Sequence, residues 1–333
     1  MITARHITIY TLGIISMLVS ASIHAEVYTP RQFKNTKAIN QFIREMAQTH
    51  HFDKSNLEEV FAQVKMHPRI IEAISRPAEG KPWYQYRKIF ITPSRINGGV
   101  KFKKQYKTIL DQADAKYGVP PEIITAIIGV ETRYGKHKGS YPVIDSLSTL
   151  AFGYPPRSRF FRKELEQYLL MTREEKFDPL QQKGSYAGAM GMPQFIPSSF
   201  RRYAVDFDGD GTRNLWDNPA DVIGSVANYF KKHKWKAGQP VITRVKVHGD
   251  RYKSLISKGI KPNKTWQELL DNGVVLPANL PTNLPGRLLE FKTADGYEYW
   301  VGWPNFYAIS RYNHSALYSL AVYQLSEKIN AAK

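Results

Sequence analysis

In the stretch Pro120-Pro121-Glu122-Ile123-Ile124-Thr125-Ala126-Ile127-Ile128-Gly129-Val130-Glu131-Thr132-Arg133-Tyr134-Gly135, isoleucines recur at helical spacing and end on a single carboxylate. Pro120-Pro121 sets a helix start, and Ile123, Ile124, Ile127 and Ile128 form one apolar stripe. Glu131 follows Ile124 by seven residues, Ile127 by four and Ile128 by three, so it projects from that same face. A carboxyl placed there is expected to be partly buried. Burial penalises the charged form and raises the pKa, which lets a glutamate hold a proton near neutral pH and act as a general acid. The alternative is an ordinary helix-end glutamate paired with Arg133 or another cation.

Composition bounds what such an acid could serve. The chain has 333 residues, enough for one large domain or two to three smaller ones. A short, weakly basic start precedes an apolar run from Ile7 to Val19 and a small-residue exit ending at Ala25. This pattern predicts a secretory signal peptide over residues 1–25, with an uncleaved anchor as the alternative. No later segment is apolar for long enough to span a bilayer. The absence of cysteine excludes disulfides, thiolate metal sites and a lipidated cysteine at a new N-terminus. A soluble, periplasmic chain is therefore expected. The formal net charge of +18 favours an anionic polymer as partner, although a solvated basic surface accounts for it as well. Nucleic acid has the right sign, but no zinc-finger spacing, RNP motif or basic-aromatic run is present, so no nucleic-acid partner is expected.

Helical patterning dominates. Asn40–Ala47 and Ser55–Val64 are amphipathic, Tyr84–Phe90 follows a Pro/Gly-containing loop, and helical signals continue through Lys163–Met171 and Ile223–Phe230. After Trp235 the character changes: Val241–Val247 alternates with period two, and Tyr297–Val301 after Asp295-Gly296 has the form of a hairpin strand. A small β-rich insertion over 236–303 is expected, with the tail from Ser315 to Ile329 returning to helix and packing back on the first region.

Two further motifs carry chemistry. Gly184-Ser185-Tyr186-Ala187-Gly188-Ala189-Met190-Gly191-Met192-Pro193-Gln194-Phe195-Ile196-Pro197-Ser198-Ser199 is dense in small residues that let backbone approach backbone or ligand, with Ser198 or Ser199 able to cap a following helix. Gln194 offers donors and acceptors beside an aromatic, which suits an amide or hydroxyl ligand. Asp206-Phe207-Asp208-Gly209-Asp210-Gly211-Thr212 has the first half of an EF-hand loop: acidic ligands at positions 1, 3 and 5, glycine at 6, a backbone carbonyl at 7, and Asp217 at position 12. Without a cation these carboxylates repel one another. The alternative is a solvated Asp/Gly turn.

Taken together, Glu-Thr-Arg-Tyr-Gly at 131–135 and the 184–199 motif resemble the B-type lytic murein transglycosylases, glycoside hydrolase family 103. The likeness continues through 204–217, 223–230 and 304–315 and so covers nearly the whole mature chain. It implies a mainly α (α+β) fold. Its parts would be an N-terminal helical domain over 26–109, a lysozyme-like catalytic core over 110–235, a small β-rich domain over 236–303 and a C-terminal segment over 304–333. Residue by residue it implies Glu131 as the acid, Ser185 and Gln194 as active-site groups, and Phe195, Tyr229, Tyr312, Tyr318 and Tyr86 as sugar-contacting aromatics, with Asn313 between two of them. It further implies structural calcium held by Asp206, Asp208, Asp210 and Thr212, closed by Asp221 because the family loop is longer than an EF-hand, and no organic cofactor. Many members carry a lipidated cysteine, which this chain lacks.

The implied activity is cleavage of peptidoglycan with closure of a 1,6-anhydromuramic ring. Glycan strands and other cell-wall enzymes would be the partners of a monomer. A conventional glycosidase needs two carboxylates. The next candidate here, Asp145, has the sequence position of a helix N-cap, which leaves Glu131 as acid and then base. A hydrolytic muramidase and a non-catalytic peptidoglycan-binding protein are the alternatives.

Overall fold

The computed structural model describes residues 29–33, 36–76, 80–257 and 259–332, so the leader expected over 1–25 lies outside the described residues. Helix accounts for 55% and strand for 10%, the mainly α composition expected. Two compact units emerge, one built from the chain up to Pro77 with Ser140–Ala189, the other from Ala78–Gly139 with Met190–Lys333. The first boundary falls inside the 26–109 stretch.

The first unit is helical. Helix Thr36–His50 buries Ile39, Phe42, Ile43 and Met46 at 3.6-residue spacing, and the Phe42 ring meets Phe61 and Phe152 edge-on at 5.9 Å. Asp53 starts helix Lys54–Gln63 by accepting a hydrogen bond from the Asn56 N–H at 2.7 Å. Helices Pro68–Ser75, Val143–Gly153 and Ser158–Glu175 complete the unit, and Tyr141–Pro142 pairs antiparallel with Lys183–Gly184. Asp145 is not the cap expected: Pro142 occupies that position, and Asp145 sits in the first turn. Its buried carboxylate accepts the Lys65 N–H at 3.0 Å and pairs with His67 Nε2 at 2.8 Å. Its role is still structural, but through partners far away in sequence.

In the second unit, helix Pro121–Thr132 is buried on every side rather than along one stripe, with Ile123 through Val130 all inaccessible. Helices Ala316–Ala331, Pro93–Gln105, Lys107–Tyr117 and Pro219–Lys232 pack around it. A helix apolar all round belongs at the centre of its core. The tail helix Ala316–Ala331 thus lies against the Glu131 helix as well as against Trp83–Phe90 and Pro93–Gln105.

A four-stranded antiparallel sheet forms where the β-rich insertion is expected, in the order Val274–Val275, Ile242–Val247, Tyr297–Gly302, Arg287–Lys292. Period-two alternation splits its apolar residues between two faces. Leu289, Phe291 and Trp300 join Trp83, Tyr86, Phe306 and Leu320, while Leu288, Val301 and Val245 pack with Leu269 and Trp303. One sheet face therefore supports the helices that carry Tyr86 and Tyr318.

Candidate active site

Glu131 lies in the last turn of helix Pro121–Thr132 and remains only partly exposed. Its carboxylate accepts a hydrogen bond from the Tyr318 hydroxyl at 2.5 Å, and among the described residues it forms no ion pair with Arg133 or any other cation. Burial pushes its pKa up from 4.5 to about 7, with the Tyr318 hydrogen bond pulling the other way. Among the described residues no carboxylate contributes to this shift. Burial, reinforced by the nearby Glu131 charge, raises Tyr318 well above the usual tyrosine range, so it stays a neutral donor. Tyr312 and Tyr86 are also close enough to act on this pair electrostatically.

The helix end that presents Glu131 is unusual. Arg133, Tyr134 and Gly135 all have positive φ, at 50°, 62° and 85°. Arg133 closes the helix in the left-handed region, its N–H bonded to the Gly129 carbonyl. Thr132 Oγ1 donates to the Met192 carbonyl at 2.9 Å and accepts the Gly135 N–H at 3.0 Å, which ties the turn after Glu131 to the second motif.

That motif forms a tight loop. Gly191 has φ 67° with the Leu215 carbonyl 2.3 Å from where a Cβ would stand, so only glycine fits there. Gln194, itself at φ 53°, donates from Nε2 to the Lys138 carbonyl at 3.2 Å and to the Gly191 carbonyl at 2.9 Å. Its side-chain oxygen has no protein partner among the described residues and is left as an acceptor. Ile196 takes the cap position of helix Pro197–Tyr203, so Ser198 and Ser199 lie inside that helix and do not cap it.

The aromatics divide into two groups. Phe195, Tyr229 and Tyr312 form a cluster with ring centroids 4.8 to 5.8 Å apart. Phe195 is 2% exposed and has no open ring face for a pyranose; it acts as the floor on which Tyr312 rests. Tyr229 is buried too, and its hydroxyl donates to the Arg311 carbonyl at 2.5 Å. Tyr312 is partly exposed and is fixed by its own hydroxyl to the Pro193 carbonyl at 2.6 Å. Asn313 is exposed and accepts the Ser315 N–H at 2.7 Å through its backbone carbonyl. Tyr86 and Tyr318 are both buried, Tyr318 bonded to Glu131 and Tyr86 close enough to act on Tyr318. Ser185 belongs to the first unit, where its Oγ accepts the Ala187 and Ala189 N–H groups at 3.3 and 3.1 Å and holds the loop closed.

In the acidic loop, carboxylate oxygens of Asp206, Asp208 and Asp210 lie within 4.8 Å of one another. Asp206 accepts the Gly209, Asp210 and Gly211 N–H groups at 2.7, 3.1 and 2.8 Å, and these hold its pKa below the ordinary value. The Thr212 N–H points inward to Asp210 at 2.8 Å. Asp221 stands outside this cluster. It is fully buried, and its two oxygens accept the Phe207 and Asn214 N–H groups at 2.8 and 2.7 Å, so it ties the ends of the loop together. Asp217 pairs with Lys138 at 2.7 Å. Hard oxygen donors at this density fit a divalent cation such as calcium.

Sequence reasoning assigned nothing to Arg95, Gly98, Gly99 or Tyr134. A signal was present: adjacent glycines inside helix Pro93–Gln105 weaken it and need a compensating packing reason.

The transglycosylase SLT domain family matches residues 34–327. The chain is 44% identical over 311 residues to membrane-bound lytic murein transglycosylase B of Escherichia coli (strain K12), covering 90% of this chain and 85% of that protein. Among solved structures it is similar to the soluble lytic transglycosylase SltB1 from Pseudomonas aeruginosa, with 49% identity, a TM-score of 0.85, and 88% and 98% of the two chains covered. It is also similar to the Escherichia coli lytic transglycosylase Slt35 in complex with calcium, with 43% identity, a TM-score of 0.84, and 92% and 97% covered.

Proposed function

The chain belongs to the transglycosylase SLT family, and from that premise we propose that it is a lytic murein transglycosylase. Its reaction is cleavage of the β-1,4 bond between N-acetylmuramic acid and N-acetylglucosamine, with Glu131 as acid and then base. The observation that carries this reading is the enclosed Glu131 carboxyl, raised to about 7 and served by a neutral tyrosine.

Protonated Glu131 gives its proton to the glycosidic oxygen as the bond to C1 breaks. The muramic N-acetyl group stabilises the electron-poor C1. Ionised Glu131, steadied by Tyr318, then takes the proton of the C6 hydroxyl as that oxygen closes on C1. The products are a free N-acetylglucosamine 4-hydroxyl and a 1,6-anhydromuramic end, and Glu131 regains its proton with no water consumed. A carboxyl titrating near neutrality suits both halves of this cycle. The Gln194 oxygen would accept from a sugar amide or hydroxyl and Tyr312 would offer a ring face, with Asn313 next to it in the chain; Ser185, in the first unit, would act by holding its own loop closed.

Calcium would be held by Asp206, Asp208, Asp210 and the Thr212 carbonyl, with Asp221 keeping the loop closed. A hard ion saturated with oxygen donors stiffens the loop and takes no part in bond cleavage. No helix among the described residues is long and apolar enough to cross a membrane. The proposed place of action is the cell envelope, on the periplasmic side.

Mass spectrometry of muropeptides released from sacculi tests the reaction. Products carrying the anhydro end support it; products heavier by one water indicate hydrolysis and overturn it, and no release indicates a binding protein.

A further inference from the structure

Arg95 is a buried arginine in helix Pro93–Gln105, 7% exposed, with a guanidinium that reaches carbonyls on two other helices. Nε donates to the Gly129 carbonyl at 2.9 Å, two residues before Glu131. A terminal nitrogen donates to the Ile89 carbonyl at 2.5 Å, at the C-terminal end of helix Trp83–Phe90, which carries Tyr86. The guanidinium rests on the Phe90 ring, 5.1 Å from its centroid. Both acceptors are at the negative ends of their helices, where a cation is electrostatically favoured and a rigid fork fixes direction.

Tyr134 locks this arginine from the other side. Its hydroxyl donates to the Arg95 carbonyl at 2.6 Å. Its ring fills a slot cut by glycine: a Cβ on Gly98 would stand 2.7 Å from the ring, and one on Gly129 would stand 2.5 Å from the hydroxyl. The ring can enter only because the chain accepts positive φ at Arg133 and Tyr134, and such cost persists where the surroundings over-determine it. Gly129 is about 200° around the helix from Glu131, so the clamp grips the back of the helix while Tyr318 meets its front.

We infer that Arg95 is a positioning residue: held by Tyr134, it ties the C-terminal ends of the Glu131 and Tyr86 helices together and thereby sets the Glu131–Tyr318 contact. The inference rests on Glu131 being the acid. Lysine keeps the charge but cannot bridge two carbonyls in a fixed plane, and phenylalanine at 134 keeps the ring but frees the Arg95 carbonyl.

Arg95→Lys and Tyr134→Phe are compared with Leu269→Ala, a core truncation in the β-rich region that destabilises without touching the clamp. Expected is a fall in kcat of about tenfold or more for Arg95→Lys with KM little changed, and a smaller fall for Tyr134→Phe, while Leu269→Ala keeps kcat below its melting temperature. The Glu131 carboxyl is followed by carbon NMR, its resonance identified by Glu131→Gln. Because the Tyr318 hydroxyl favours ionised Glu131, a misplaced contact moves the titration upward in both clamp variants. Unmoved titration in both overturns the positioning role whatever the activity does. If wild-type protein releases no anhydro product, the functional reading falls, and the titration still decides the clamp.

Discussion

Glu131 and Asp206 are both carboxylates in the second unit, yet the protein treats them in opposite ways. Glu131 is enclosed by apolar helices and one tyrosine, and desolvation pushes its pKa up to about 7. Asp206 lies in an open loop, accepts three backbone N–H groups and is held below the ordinary value. Burial makes a carboxyl hold its proton; N–H donors make it give the proton up. The first environment suits proton transfer and the second suits a cation.

The strongest way to break this contrast is at Glu131. Glu131→Gln keeps the shape and the Tyr318 partner but can neither give nor recover a proton, so turnover on sacculi should fall by about 10³-fold or more with sacculus binding retained. Substantial activity in the purified, folded variant would remove Glu131 from the mechanism. Tyr318→Phe should cost less, about tenfold in kcat, and should raise the pKa seen in the rate profile; an unchanged profile would separate Tyr318 from the acid.

Acidity offers a finer test. The folded pKa of about 7 stands above the ordinary 4.5, so the folded state keeps a proton that the unfolded chain releases between those values. The stability linked to that proton is intact below about pH 4.5, declines as pH rises from 4.5 to 7, and is gone above 7. The penalty at pH 8 is on the order of 2 kcal/mol after allowance for partial exposure. Glu131→Gln should therefore raise the melting temperature by a few degrees at pH 8 and leave it nearly unchanged at pH 4.5. For the same reason kcat/KM should fall as pH rises through 7. A Gln variant no more stable than wild type at pH 8 would mean that the enclosure is looser than the structure implies.

The smallest effect is expected at the loop. Calcium should raise the melting temperature by mass action, and Asp206→Ala combined with Asp210→Ala should abolish the response. A wild-type melting curve that ignores both calcium and chelator would reduce the loop to a turn.

Much of this was legible in local pattern. Paired prolines and the isoleucine spacing located the Glu131 helix and the face of its carboxyl, alternation located the Ile242–Val247 strand, and acidic spacing located the loop. These signals are short-range, because helix and strand periods are written in neighbouring residues. What covers each face is written elsewhere. The hydroxyl on Glu131 comes from 187 residues away, the partners of Asp145 from 78 and 80, and the arginine behind Gly129 from 34. Asp145 looked like a cap because an N-cap and a buried first-turn aspartate share a local sequence. For Phe195 the family resemblance implies a sugar contact, whereas its 2% exposure is decided by packing.

The sequence by itself determined that Glu131 would point into an apolar environment, that three aspartates would share one turn, and that the chain would be mainly helical. Tertiary structure alone decided that this environment includes a neutral tyrosine and, among the described residues, no cation, that Asp221 ties the loop instead of joining its carboxylates, and that a buried arginine grips the Glu131 helix from behind. The physical reason is common to all three. Backbone periodicity fixes a side chain's direction within its own element, whereas protonation state and hydrogen-bond partner depend on atoms that distant segments bring within about 3 Å.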